Sequence, residues 1–279
     1  MSDNYQSEGS MNTDAPFFSK DDHQQTHRYT SPSTELASSG YPHHLIDQMT
    51  QLQYTLSRRL MAMGSELQAT WDRKTPVSSY SHAANADIEG LTFSFVRPRA
   101  QATLIEKLMG RGAIAPAAAD PARHPVLEVR LTPDQLVVEL ILSPLARWDQ
   151  RNFAGKMRVE RHRDSFRSLL CGTSADLFIG FWNGENLQDA HLTCRQLLRG
   201  RFLEEWFGTF SAEHDWLRIG VWSQLDDPSF MQGSMVSELS KSVVALAQIY
   251  KFMAWSSEND FHSFLGTGKR SLRTVHAVV

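Results

Sequence analysis

The segment HPVLEVRLTPDQLVVELILSP, residues 124–144, decides the fold because it has the pattern of a β-hairpin. Two runs rich in Val, Leu and Ile, 126–131 and 136–142, flank the tetrapeptide TPDQ. Proline at the second position of a four-residue turn supplies the backbone angle that a type I turn needs. Only Glu139 interrupts the second apolar run. A strand that is apolar on both faces is typical of a sheet interior, so we predict that this strand is central.

Two stretches further along the chain resemble each other and predict two more strands. They are DLFIGFW at 176–182 and DWLRIGVW at 215–222, which share the pattern Ile-Gly-x-Trp. Each is followed by a polar loop and then by a predicted helix, at about 187–210 and 235–255. A strand–helix–strand connection normally makes neighbouring strands parallel, so we predict two parallel strand–helix units. The glycines would leave room for bulky rings from the facing layer.

An apolar stripe predicts a long N-terminal helix at residues 45–71. Its members recur every three or four residues: Leu45, Met49, Leu52, Leu56, Leu60, Met63 and Leu67. The stripe either packs in the core or forms a seam with a second copy, as in a coiled coil. A further strand is predicted at 91–96, where aromatic and branched residues alternate with others.

These elements predict an α+β domain at residues 43–262, in which one mixed β-sheet of about five strands packs against the long N-terminal helix and two C-terminal helices. Residues 1–42 carry six acidic and two basic side chains without periodicity, which predicts a disordered acidic tail. Residues 263–279 are predicted to be a flexible C-terminal tail. The sequence has no apolar run of membrane-spanning length and only two cysteines. We therefore expect a cytoplasmic protein that does not enter a membrane.

The most basic part of the chain, residues 145–171, is predicted to be a kinked helix or two helices. Its opening segment LARWDQRNF, 145–153, follows the central strand and brings polar and aromatic side chains together. Arginines in such a segment suit a phosphate or a carboxylate. The competing interpretation is that Asp149 caps a helix whose charged face is solvated. Adding the tryptophans that end the two tandem strands gives the candidate binding residues Arg147, Trp148, Asp149, Arg151, Asn152, Trp182 and Trp222.

The order helix, three strands, helix, strand resembles a restriction-endonuclease-like core. Such enzymes place an acid on one strand and a Glu-x-Lys pair on the next to hold Mg²⁺. Glu139 lacks the lysine, and Glu128-Val129-Arg130 has the spacing with arginine instead. The pair His191 and Cys194 is too sparse for a zinc site. We therefore predict no catalytic residue, no metal ligand and no cofactor.

We expect a non-enzymatic binding or assembly module whose ligand is unknown. A protein partner or a second copy would bind through the 45–71 helix. The alternative is a nucleic-acid-associated protein that uses Arg147–Arg167, including a divergent or inactive restriction-endonuclease-like domain. The net charge of −3 argues against a general polyanion binder, since such proteins usually carry a basic excess.

Overall fold

The computed structural model describes residues 17–26, 41–70, 77–111, 119–174, 177–181, 191–224 and 234–261. In these ranges the chain forms eight α-helices and a single antiparallel sheet of eight strands. The helices are α1 Lys20–Thr26, α2 His43–Ala62, α3 Arg99–Glu106, α4 Arg147–Met157, α5 Glu160–Cys171, α6 Cys194–Leu197, α7 Phe202–Phe207 and α8 Met235–Met253. The strands are β1 Gln68–Ala69, β2 Ser78–Ser81, β3 Ala86–Val96, β4 Val126–Leu131, β5 Gln135–Leu142, β6 Phe178–Phe181, β7 Leu192–Thr193 and β8 Leu217–Gln224. The α+β class is confirmed, with more strands than the five expected.

The predicted hairpin is the centre of the sheet. The strand order is β1-β3-β4-β5-β8-β6-β7, and β2 pairs with β3 off this path. β5 pairs with β4 on one side and with β8 on the other, so its predicted central position is confirmed. Because side chains alternate along a strand, one face of β5 carries Leu136, Val138, Leu140 and Leu142 into the main core, and the other face carries Glu139.

The tandem strands β6 and β8 are neighbours, with Ile179 directly opposite Ile219, but they run antiparallel. The predicted parallel orientation, and with it the mixed sheet, is wrong for the described strands. The predicted helix at 187–210 is also wrong, because the described part of that stretch contains β7 and the two short helices α6 and α7. β7 pairs back on β6 in the antiparallel sense. The connection is therefore not a single crossover helix, and the argument for parallel strands does not apply to it.

The helical layer covers one face of the sheet. The α2 stripe from Leu45 to Leu60 is fully buried, and α2 packs against α8 and β3. That surface is used inside the chain, so it does not offer the seam for a second copy that the sequence left open. α2 ends before the predicted 71, because the chain turns at Gly64 with φ +70° and then pairs with β3 through β1.

Part of the predicted N-terminal tail packs on the domain. Phe18 is buried, and His23 Nδ1 lies 2.8 Å from the Thr132 carbonyl oxygen in the hairpin turn. Asp22 also pairs with His44 at the start of α2, at 2.9 Å. Residues 17–26 therefore belong to the folded body, and the remainder of 1–40 and the predicted tail at 263–279 lie outside the described residues. No described helix combines the length and the apolar character needed to cross a bilayer.

The structure explains one of the two glycines in the tandem strands, Gly220. A Cβ atom there would lie 2.4 Å from the Val138 carbonyl oxygen and 2.5 Å from the Glu139 Cβ. The crowding comes from the neighbouring strand β5, not from a ring in the facing layer as predicted. Any side chain at Gly220 would push β5 and β8 apart.

Gly220→Ala is therefore expected to destabilise the fold by about 2 kcal/mol, the usual cost of overpacking a core. Gly172→Ala is the matched control, because the nearest atom to its added Cβ is 3.4 Å away. Urea unfolding followed by circular dichroism measures both. Equal stability of the two variants would contradict the close approach of β5 and β8.

Candidate functional site

The two arginines of the predicted site lie on the outer face of α4. Arg147 and Arg151 are 67% and 57% exposed, and both reach toward Glu213. The distance from Arg151 Nη2 to the Glu213 carboxylate is 2.6 Å, and from Arg147 Nε it is 3.9 Å. Exposed pairs of this kind contribute little to stability. These arginines are surface residues and do not meet the buried members of the predicted site.

The inner face of α4 binds the last turn of α8 and the chain that follows it. Asp149 accepts a hydrogen bond from the Trp255 backbone N–H at 2.6 Å. Asn152 donates to the Met253 carbonyl oxygen at 3.0 Å, and Lys156 donates to the Phe252 carbonyl oxygen at 2.7 Å. We call Asp149, Asn152 and Lys156 the α4 clamp.

The clamp also explains Gly155 on the same helix. Asn152 accepts a hydrogen bond from the Phe261 backbone N–H at 2.9 Å, which brings that residue onto α4. A Cβ at Gly155 would lie 2.3 Å from the Phe261 ring.

Asp149 is not the helix cap that the sequence suggested as an alternative, because the N-cap is Ala146 and no side chain caps the helix.

Behind the clamp lies a buried ion pair between α4 and the end of β3. Arg97 Nη2 donates to Asp149 Oδ1 at 2.9 Å, and Arg97 Nη1 donates to the Trp255 carbonyl oxygen at 2.8 Å. Burial opposes the charge of Arg97, but Asp149 and a hydrogen bond with Tyr250 raise its pKa above the usual value. The guanidinium is therefore held as a cation in a fixed orientation.

A histidine lies on the far side of Asp149. His124 is buried, with Nδ1 at 3.8 Å from Asp149 Oδ2 and Nε2 at 3.7 Å from Glu106 Oε1. Neither ring nitrogen has a hydrogen-bond partner. Four ionisable side chains therefore lie next to one another inside the protein, in the order Glu106, His124, Asp149 and Arg97.

Arg97 also lines an open cleft of about 470 Å³. Three segments form its walls: the α2–β1 connection at 63–67, the start of α3 from Arg97 to Gln101, and the end of α8 with the following chain. We call it the Arg97 cleft. Its other polar side chains are Ser65, Glu66, Gln101, Gln248, Tyr250, Lys251, Ser256, Glu258 and Asn259.

Side chains from the predicted segment 145–153 contact the residues that form the walls of this cleft. Trp148 packs on Trp255, a wall residue, with ring centroids 5.2 Å apart. Asp149 holds Arg97 and Trp255, and Asn152 holds the chain next to them. None of these three residues lines the cleft itself.

Trp222, also predicted as a binding residue, does not lie near this cleft. Trp222 lies on the opposite face of the sheet, where Arg218 stacks over its ring at 5.5 Å. Trp182 lies outside the described residues. The pocket floored by two tryptophans is therefore not described by the structure.

The carboxylates considered for a nuclease are buried in ion pairs. Arg218 donates two hydrogen bonds to Glu139, both at 2.7 Å, and Arg130 bonds both Glu139 and Glu128. All four side chains are at most 1% exposed. Burial opposes ionisation of Glu139, but Arg130 and Arg218 hold its pKa below the usual value. Both carboxylates are thus engaged, and they share no surface with Arg147 and Arg151.

The described residues contain no group of three or more His, Cys, Asp or Glu side chains placed to hold a metal ion. Cys194 is buried, and burial raises the pKa of its thiol to about 12, so it is not a thiolate near neutral pH. The ring of His191 packs edge-on against Phe178. These two residues therefore show no sign of the zinc-ligand pair considered from the sequence.

Sequence reasoning missed Arg97, Tyr250 and Lys156 as the residues that organise this region. One signal was present: Arg97 ends an apolar strand just before Pro98, and a charge at the end of a buried strand requires a partner.

Comparison with protein-family models and with curated protein sequences finds no match to this chain.

Lys156 predicts a pH dependence of stability. Burial lowers its pKa to about 8, whereas an unfolded lysine titrates near about 10.4. Below about pH 8 the folded state carries the full cost of burying the charge. As the pH rises toward about 10.4 the folded protein loses this proton first, so that cost disappears.

The wild-type protein should therefore gain about 2 to 3 kcal/mol relative to Lys156→Met between pH 7 and pH 10. Urea unfolding of both proteins across this range measures the difference, in which the other titrating groups cancel. A difference that stays flat with pH would show that Lys156 is not buried as described.

Proposed function

We propose that the chain is a non-enzymatic binding module and that the Arg97 cleft is its ligand site. The observation that carries this proposal is the Arg97 guanidinium, which is fixed at the cleft by Asp149, Tyr250 and the Trp255 carbonyl oxygen. A group that is already held in place loses little freedom when a ligand binds, which favours affinity. The cleft volume of about 470 Å³ is within the range of small-molecule sites.

The side chains around the cleft indicate the class of ligand. Arg97 and Lys251 are cations, and Glu66 and Glu258 are anions. Two neutral groups lie next to these charges, because Gln101 donates a hydrogen bond to Glu66 and Tyr250 forms one with Arg97. Charges of both signs around one small cleft fit a ligand that is itself zwitterionic, such as a free amino acid or a dipeptide.

A binding role is also supported by the state of the reactive groups. Glu128 and Glu139 are each paired with arginine, so neither is available to activate water. The raised pKa of Cys194 disfavours a nucleophilic role for its thiol. These observations favour binding over catalysis for the described part of the chain.

The nucleic-acid alternative receives less support. Arg147 and Arg151 pair with Glu213, while Arg163 and Arg167 pair with Glu204. Lys156 is buried in the α4 clamp. Each glutamate is shared by two arginines, so the basic stretch is partly neutralised within the protein, and fewer cations remain for phosphate contacts than its sequence suggested.

Thermal unfolding with a panel of the twenty amino acids and a set of dipeptides tests the proposal. A ligand at about 100 times its Kd stabilises the folded state by about 2.7 kcal/mol, which corresponds to an increase in Tm of about 5 to 10 °C. We expect one group of related compounds to produce such a shift, with the Kd then measured by calorimetry.

Gln101→Ala and Lys251→Ala should weaken that binding without unfolding the protein, because both side chains are exposed. Lys107→Ala, on the exposed side of the neighbouring helix, is the matched control. The proposal is wrong if no compound in the panel shifts the Tm, or if the shift persists in both cleft variants.

A further inference from the structure

A second and larger cavity, of about 730 Å³, opens in the helical layer. It lies between the end of α5, strand β8 and the first four turns of α8. α2 reaches it through Arg59. The cavity shares only Gln248 with the Arg97 cleft, so the two are separate sites.

The cavity is elongated and runs along α8. Its lining extends from Met235 to Gln248 on that helix. These residues are 13 positions apart, which is about 20 Å at about 1.5 Å per residue. The space is therefore a groove that suits a linear molecule better than a round one.

Part of the groove lining is apolar, next to the hydroxyl side chains of Ser168, Thr173, Ser174, Ser223 and Ser242. Leu169 from α5, Val221 from β8 and Leu239 from α8 line it together with Met235. These side chains offer dispersion contacts and no hydrogen bonds, so the body of a ligand in contact with them should be a hydrocarbon.

One cation at the groove has no counter-charge in the described chain. Glu238 and Lys241 also line it, but they pair with each other at 2.6 Å. Arg59 is exposed and forms no ion pair with any described residue. Arg59 is one helical turn before the 63–67 connection. That connection and Gln248 both line the Arg97 cleft, so Arg59 lies at the Gln248 end of the groove.

We infer that this groove binds a free medium-chain fatty acid. The hydrocarbon chain lies along α8 toward Met235, and the carboxylate pairs with Arg59 at the Gln248 end. The apolar lining supplies affinity, and the single unpaired cation selects a single negative charge on the ligand.

Calorimetric titration with hexanoate, octanoate and decanoate, each below its micellar concentration, tests this inference. Each added methylene should tighten binding about threefold to fourfold, since burying one contributes about 0.8 kcal/mol. Decanol, which has the same chain without the charge, should bind more weakly than decanoate. Affinity that does not depend on chain length would overturn the inference.

Two variants separate the contribution of the charge from that of the groove. Arg59→Gln should weaken decanoate binding about 1.5-fold to fivefold, the usual range for an exposed ion pair, and leave decanol binding unchanged. The matched control is Arg58→Gln, because Arg58 stacks on Tyr54 and does not line the groove. Equal affinity of the two variants for decanoate would overturn the proposed role of Arg59.

Ala245→Leu tests the path of the chain. Ala245 lines the groove on α8, and leucine fills part of it while preserving helix propensity. Ala245 lies about one turn from Gln248, where the carboxylate binds, so both decanoate and hexanoate should lose affinity. Unchanged affinity for either acid would show that the chain does not run along α8 as inferred.

Discussion

The structure depends on one electrostatic constraint, which is the charge of Glu139 on a strand that is buried on both faces. An isolated carboxylate in such a place costs several kcal/mol, so it must be balanced inside the protein. Arg130 on β4 and Arg218 on β8 provide that balance, one from each strand that pairs with β5. Charge pairing and backbone hydrogen bonding therefore specify the same strand order, and the apolar face of β5 is left to carry the core.

The same requirement operates a second time where β3 meets α4. Arg97 ends a buried strand and is balanced by Asp149, whose other contacts hold the chain after α8. The ion pair thus connects the sheet to the α4 clamp, and the Arg97 cleft opens on the solvent side of that junction. The helical layer divides into two regions, with a polar cleft at the end of α8 and a partly apolar groove along its first four turns. Both proposed binding sites therefore include residues of α8.

Local patterns in the sequence predicted local elements of structure, the hairpin and the helices. Alternation and the TPDQ turn predicted the hairpin, and the sequence also indicated the helix that forms α8. For 145–171 it left a kinked helix and two helices open, and the structure has two helices. The direction of β6 against β8 depends on how the chain between them folds back, and residue periodicity carries no information on that. The role of Asp149 could not be predicted either, because its partners Arg97 and Trp255 are distant in sequence and the same residue type caps helices elsewhere. A buried charge requires a partner, but the sequence does not show which residue that partner is.

The most direct test of this account is a double-mutant cycle between Glu139 and Arg218. Glu139→Gln and Arg218→Met each leave an uncompensated charge in the sheet, so each should cost about 3 to 5 kcal/mol of unfolding free energy. The double variant should be less destabilised than the sum, with a coupling energy of at least about 2 kcal/mol in urea unfolding. Single effects below about 1 kcal/mol that simply add would contradict the claim that the balanced charge of Glu139 holds the centre of the sheet.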